Sequence, residues 1–329
     1  MTATEPDDRI RDRYREAMDA AAFEDAFARH RHELHVHCYR MTGSFWDAEE
    51  LTQLTFERAW RNRSRFEHRA STRTWLYKIA TNACLDHLKQ HERRTSVAGN
   101  VFDILERNRH LQPYPDGRAT APGGGEDPAD TVAARETTEM FFVAALTALS
   151  PRQRAVLIAT ELLGWSAADA AELIDTSVPA TNSLLQRART RMRRTMTGVP
   201  RPSSDAIATE LLAGYVEAHE QRDVARLERI IHHDIRISMP PEPACVGRAA
   251  ALAFFERILV ADGSGDWKLV PTSANGRPAA LNYLRLPDSD TFAALSIDVL
   301  HIRDDRLAAI NCFLDARLAR AFGHPLAID

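Results

Sequence analysis

Cysteine is scarce in this chain and long apolar runs are missing from it. Cys38, Cys84, Cys245 and Cys312 are scattered through 329 residues with no C-x-x-C pair, so neither a disulfide scaffold nor a zinc knuckle is signalled. No stretch approaches the roughly 20 apolar residues that a membrane helix needs. Met1 to Arg15 is charged where a signal peptide would carry its apolar segment. These absences lead to the expectation of a cytoplasmic protein with no membrane partner. A composition of 44% hydrophobic and 27% charged residues excludes a collagen-like, coiled-coil or wholly disordered chain, and the length leaves room for two or three domains.

A net charge of -4 argues against nucleic acid only until it is divided by position. Residues 51–94 hold ten Lys/Arg against four Asp/Glu, and residues 187–201 hold six arginines and no acid. These are two basic islands in a chain that is otherwise neutral or acidic.

Helical spacing of apolar residues (Phe23, Phe27, Leu34 and Cys38, then Leu51, Leu54, Phe56 and Trp60) predicts an all-helical block over 17–95. Residues 96–130 are read as a linker, because DGRATAPGGGEDPAD at 116–130 offers almost nothing to bury. Helical periodicity returns over 131–197, and a last domain is expected over 205–325. That domain opens with a helix from Ala206 to Gln221. It then alternates apolar and polar residues at Ile235, Ile237 and Met239 and at Leu295, Ile297 and Val299, with a hairpin turn at Asp304-Asp305. The fold class expected is multidomain: two all-α domains followed by an α+β layer domain.

The first basic island is the helical stretch from Arg73 to Arg94. Leu76, Ile79, Ala80 and Ala83 share one face, and Lys78, Lys89 and Arg93 project from the other. The loop FEHRAST precedes it, and Trp75 and Tyr77 supply π surfaces on which unpaired bases can stack. The second island reads as a helix-turn-helix, with a cap at Ser166, a turn at Asp175 to Ser177, and a second helix from Val178. Leu184, Leu185, Ala188 and Met192 form its inward arc. Asn182, Ser183, Gln186 and Arg187 are left outward, and amides and arginines are the groups that read base edges in a major groove. Arg189, Arg191, Arg193 and Arg194 are suited to phosphates.

The sequences DAEELTQLTFERAW (47–60) and TWLYKIATNACLDHLK (74–89), followed by this helix-turn-helix, resemble the extracytoplasmic-function sigma factors, small initiation subunits of bacterial RNA polymerase. The resemblance implies roles for individual residues. Asp47, Glu50, Gln53 and Phe56 would dock on core polymerase. His68, Arg69, Ser71, Arg73, Trp75, Lys78, Asn82 and Lys89 would capture the melted minus-ten element of promoter DNA. Ser177, Ala180, Asn182, Ser183, Gln186 and Arg187 would read the minus-35 element as duplex. LQPYPDG at 111–117 is similar to the linker of the subgroup that bears a C-terminal extension.

The last domain, through SMPPEP at 238–243 and FLDARLARAFG at 313–323, is similar to SnoaL-like domains, the cone-shaped folds of polyketide cyclases and ketosteroid isomerases. In the extended subgroup that domain is understood to contact the sigma domains and modulate them. His219, His232, His233 and Asp234 are the candidates for catalysis or ligand contact, and they sit where a solvated cluster at a helix end is the plainer explanation. The histidines at 30, 32, 35 and 37, with Cys38, divide between two helix faces, so no tetrahedral metal set forms and they read as surface and boundary residues.

The resulting expectation is a non-enzymatic initiation factor without cofactor or metal, partnered by core RNA polymerase and promoter DNA and restrained by its own C-terminal domain. A free-standing helix-turn-helix regulator and a ligand-binding or isomerase-like C-terminal domain are the alternatives.

Overall fold

The computed structural model describes residues 24–25, 27–63, 71–90, 99–119, 138–197, 199, 204–261 and 265–329. Among the described residues, the first three helices are α1 (27–42), α2 (Phe45–Asn62) and α3 (Thr72–Gln90). Ser44 caps α2 by accepting from the Asp47 amide at 3.2 Å, which satisfies one of the four orphan donors at a helix start. Leu51, Thr55 and Ala59 of α2 and Leu76, Ala80, Ala83 and Cys84 of α3 are buried.

The stretch read as a linker departs from that expectation where it is described. Val101–Arg107 forms α4, started by a reciprocal capping box between Asn100 and Asp103. Val101, Ile104, Leu105, Leu111 and Tyr114 are all buried. Asp116–Ala119 forms a helical turn, α5, inside the segment expected to lack order; residues 120–130 lie outside the described residues. Apolar groups too few to establish a period are here ordered by neighbours remote in sequence.

Among the described residues, four helices follow: α6 (Met140–Thr147), α7 (Pro151–Leu157, running into a π turn over Ile158–Leu162), α8 (Ala167–Leu173) and α9 (Val178–Thr195). The C-terminal part contains α10 (Asp205–Glu220), α11 (Val224–Ile230), α12 (Arg248–Phe255) and a seven-stranded sheet. Its strands are β1 (Ile231–Met239), β2 (Glu242–Val246), β3 (Asp266–Ala274), β4 (Arg277–Arg285), β5 (Phe292–Arg303), β6 (Arg306–Phe313) and β7 (Ala327–Ile328). The order is β2-β1-β6-β5-β4-β3, with β7 on β5, and only β1 and β6 run parallel. The expected hairpin closes at Asp304-Asp305, both at positive φ, with Arg303 opposite Arg306.

Strand alternation gives this sheet two unlike faces. Ala280, Leu300, Ile237 and Ile310 pack under Leu211, Tyr215 and Phe255 in one core. Ala279, Leu281, Tyr283, Ile297 and Val299 belong to the other core, shared with the N-terminal helices.

Among the described residues, His37, His219 and His301 are buried in this packing. His37 meets Thr81 Oγ1 at 2.9 Å, and burial, reinforced by Arg40 and Arg73, lowers its pKa to about 3. His301 on β5 stacks on Phe141 at 4.2 Å, and burial, with the nearby Arg277 charge, lowers it to about 3. His35 is also buried, 2.9 Å from the Tyr114 hydroxyl and 3.2 Å from Glu49. The histidine run is therefore partly interior, contrary to the surface reading. Below pH 6.5 the unfolded chain takes up protons that the folded chain refuses at His37 and His301, so stability falls as pH falls from about 6.5 toward 3. At pH 5 the expected loss is roughly 2 kcal/mol from each. Thermal melts between pH 7 and pH 5 should show this decline, and His301→Phe should flatten it.

Candidate nucleic-acid interface

The helix-turn-helix is built as its sequence dictates. Ser166 and Asp169 form a capping box at the start of α8. Asp175 adopts a φ of 52° in the turn, a left-handed position that aspartate tolerates. Ser177 then caps α9, accepting from the Ala180 amide at 3.4 Å, and Pro179 occupies the first turn, where its missing N–H costs nothing. Leu185, Ala188 and Met192 are buried and Leu184 is half-buried, while Ser177, Asn182, Ser183, Gln186 and Arg187 are exposed. Ala180 is half-buried. Of the arginines suited to phosphate, Arg189 is bound to Glu161 at 3.0 Å, whereas Arg193 and Arg194 are exposed in the last turn.

The minus-ten set is only partly brought together. His68 and Arg69 lie outside the described residues. Ser71 is exposed at the head of α3, its hydroxyl 2.9 Å from Thr74 Oγ1, and Asn82 and Lys89 are exposed along the helix. Trp75 is half-buried. Tyr77 is 2% exposed and donates to Glu33 at 3.1 Å, so it is a core residue and not a stacking platform: its position three residues before Ala80 turns it inward. Arg73 is held by the same Glu33 at 2.8 Å and lies over the Tyr77 ring, 4.9 Å from its centroid. Lys78 pairs with Glu172 of α8 at 2.9 Å. Lys78 and Asn82 line one surface groove of about 710 Å³ with Ser177 and Val178, so the residues expected to hold single-stranded DNA face the turn expected to meet duplex.

On α2, residues 47, 50 and 53 recur at i, i+3 spacing along one stripe. Glu50 and Gln53 are exposed, and Phe56 is half-buried against Phe27 at 4.2 Å. Burial opposes ionisation of Asp47, but the hydrogen bond and charge of His87, 3.3 Å away, outweigh it and hold the carboxyl below its ordinary range. Asp47 and Glu50 line a crevice of about 620 Å³ whose far wall is Pro240, Phe313, Asp315 and Arg317. Trp46 Nε1 donates to Asp315 at 3.3 Å across it.

One cluster was not found from the sequence. Asn275, fully buried at the β3–β4 turn, accepts from the Tyr114 amide at 2.7 Å and donates to Tyr39 Oη at 2.9 Å and to the Thr138 carbonyl. Gly276 N–H donates to Asp116 Oδ1 at 2.8 Å. Arg277 clasps Glu139 at 2.9 Å with 6% of its side chain exposed. The available signal was the Asn-Gly pair, a hairpin mark, which says nothing of what the tip touches. Of the four candidates for chemistry in this domain, His219 lines its internal cavity. His232, His233 and Asp234 stand on β1 instead, where Arg303 Nη2 meets His232 Nδ1 at 3.0 Å.

Family models for sigma-70 region 2, sigma-70 region 4 and a SnoaL-like domain match residues 26–94, 142–192 and 212–310. The chain is 38% identical over 310 residues to the ECF RNA polymerase sigma factor SigG of Mycobacterium tuberculosis, covering 90% of this chain and 82% of that protein. To SigM of the same species it is 28% identical over 179 residues, covering 54% of this chain and 79% of that protein. The crystal structure of M. tuberculosis extracytoplasmic function sigma factor SigJ superposes with a TM-score of 0.59 at 22% identity, covering 92% of this chain and 99% of that one. It shares the order of helical domains followed by a mixed α/β domain.

Proposed function

Because the chain belongs to the extracytoplasmic-function sigma factors of RNA polymerase, we propose that its three parts divide promoter recognition and self-restraint among them. Asp47, Glu50, Gln53 and Phe56 on α2 dock the core enzyme. Ser71, Arg73, Trp75, Lys78, Asn82 and Lys89, with His68 and Arg69 before them, hold the melted minus-ten strand. The exposed edge of α9, from Ser177 and Ala180 to Arg187, reads the minus-35 duplex. The C-terminal domain holds the two DNA-binding parts against each other and crowds α2. The protein acts where core polymerase and promoter DNA are, in the cytoplasm, without turnover of its own.

The observation that carries this reading is the buried Asn275 cluster, which joins α1, the 111–116 strap and the start of the second helical part through one hairpin tip. The Lys78–Glu172 pair, with side chains 43% and 77% exposed, contributes little by itself, since exposed ion pairs are worth about 0–1 kcal/mol. A buried polar group left unpaired costs about 1–3 kcal/mol, so the restraint resides in the hairpin.

The residue roles are tested by promoter selection with the reconstituted holoenzyme. Arg187→Ala is expected to lower minus-35 discrimination by about 1–3 kcal/mol at the base it reads, and Lys89→Ala to weaken binding uniformly across sequences and reduce its salt dependence. Equal losses on matched and scrambled minus-35 elements for Arg187→Ala would remove its assignment.

A further inference from the structure

Among the described residues five large hydrophobic side chains are exposed: Val178, Val246, Val260, Leu286 and Leu314. The last four belong to the C-terminal domain. Val178, 40% exposed in the first turn of α9, is the one of this kind in the helical parts. A lone apolar residue on a surface needs no explanation by itself, but this one acquires an explanation from its place. It stands one helical turn before Asn182 and two before Gln186, so the three form a row at i, i+4 and i+8 along the helix. Asn182 and Gln186 are exposed on that row.

The turn that carries Val178 has a second peculiarity. A helix start favours Asp or Glu, whose charge meets the positive end of the macrodipole, and the first turn of α9 holds no acid. Val178, Pro179 and Ala180 follow Ser177 without a charged group, while Arg193 and Arg194 are exposed in the last turn. A first turn that forgoes a stabilising carboxylate and exposes an apolar side chain suits contact with a polyanion whose base edges carry methyl groups. In the major groove, amides and arginines read adenine and guanine through hydrogen bonds. They do not detect the 5-methyl group of thymine, whereas an apolar side chain does. Valine is suited to that contact, because its χ1 is stiff and little freedom is lost on binding.

We infer that Val178 is a specificity-determining residue for the minus-35 element: its methyl groups pack on the 5-methyl group of one thymine in the duplex, along the row that Asn182 and Gln186 continue. The inference rests on the reading of α9 proposed above. Val178 also borders the groove of about 710 Å³ lined by Lys78 and Asn82, so the contact belongs to the arrangement in which α3 has moved away from the turn.

Binding of the reconstituted holoenzyme to its footprinted promoter, with each minus-35 thymine replaced in turn by deoxyuridine, tests the assignment. The replacement removes the 5-methyl group and leaves the hydrogen-bonding groups of the base edge in place. At one thymine it is expected to weaken binding about fourfold, the worth of one buried methyl group. Val178→Ser is expected to bind the thymine and deoxyuridine promoters alike, and Val178→Ile, which keeps the branched methyl groups, to preserve the difference; thermal melts show that both variants fold. A wild-type holoenzyme indifferent to deoxyuridine at every minus-35 thymine overturns the inference, as does a folded Val178→Ser chain that keeps the full difference. Arg187→Ala separates this failure from failure of the α9 reading. A holoenzyme that ignores the methyl groups but loses minus-35 discrimination with Arg187→Ala removes Val178 alone, whereas one with no minus-35 preference removes the reading and the inference together.

Discussion

Asn275→Ala is expected to raise promoter-dependent transcription severalfold when core polymerase is limiting. The Asn275 side chain bonds to Tyr39, Tyr114 and Thr138 at once, and alanine cannot replace any of these hydrogen bonds. Its φ of 54° adds a second cost, because alanine lacks the tolerance of asparagine for the left-handed region. Unpaired partners at about 1–3 kcal/mol each shift an equilibrium between closed and open arrangements by a factor of roughly 5–150. Sigma activity rises if the open arrangement is the one that engages core. Run-off transcription at subsaturating core, with a thermal melt to show that the variant folds, measures it. A folded Asn275→Ala chain with unchanged or reduced transcription argues that the hairpin supports the active form instead.

A second large effect is expected at Arg154. This arginine is 2% exposed and is surrounded by carbonyls: Nη1 donates to Met41 O at the end of α1, and Nη2 donates to Thr147 O at 3.0 Å and Leu149 O at 3.2 Å after α6. Two helix C-termini, each with a partial negative charge and orphan carbonyls, thus share one guanidinium. Burial lowers its pKa only to about 10, so the charge persists at neutral pH. Arg154→Ala opens a cavity and orphans three carbonyls, with an expected cost of about 3–5 kcal/mol. Thermal melting should fall by roughly 2–4 °C per kcal/mol. Arg154→Lys should recover only part of this, since a single ammonium lacks the fork that spans both helix ends. A melt within a degree of wild type for Arg154→Ala would show that the two helical parts are not held there.

The helix-turn-helix was legible because every part of it is local: a cap at Ser166, a turn tolerant of positive φ at Asp175, a cap at Ser177 and an amphipathic arc from Leu184 to Met192. The β5–β6 hairpin and α10 were legible for the same reason. What the sequence hid depends on neighbours distant along the chain. The stretch over 99–119 carries too few apolar residues for any period, yet Val101, Ile104, Leu111 and Tyr114 are buried by helices and strands that arrive from elsewhere. Tyr77 has the look of a stacking platform beside a basic loop, and Glu33, 44 residues away, makes it a core residue. Asp298, which lines the internal cavity of the C-terminal domain, gave no mark of its own in the alternating run around it, because a carboxylate on the cavity face of a strand and one on a solvent face have the same spacing.

The most direct test of promoter-directed initiation under self-restraint is run-off transcription by purified core RNA polymerase on genomic fragments selected by footprinting of the reconstituted holoenzyme. A discrete transcript is expected that appears only when the chain is added, starts downstream of a two-part element, and strengthens when Asn275 is replaced. Binding of the chain to duplex fragments with no association with core and no transcript would contradict that expectation and leave a free-standing helix-turn-helix regulator.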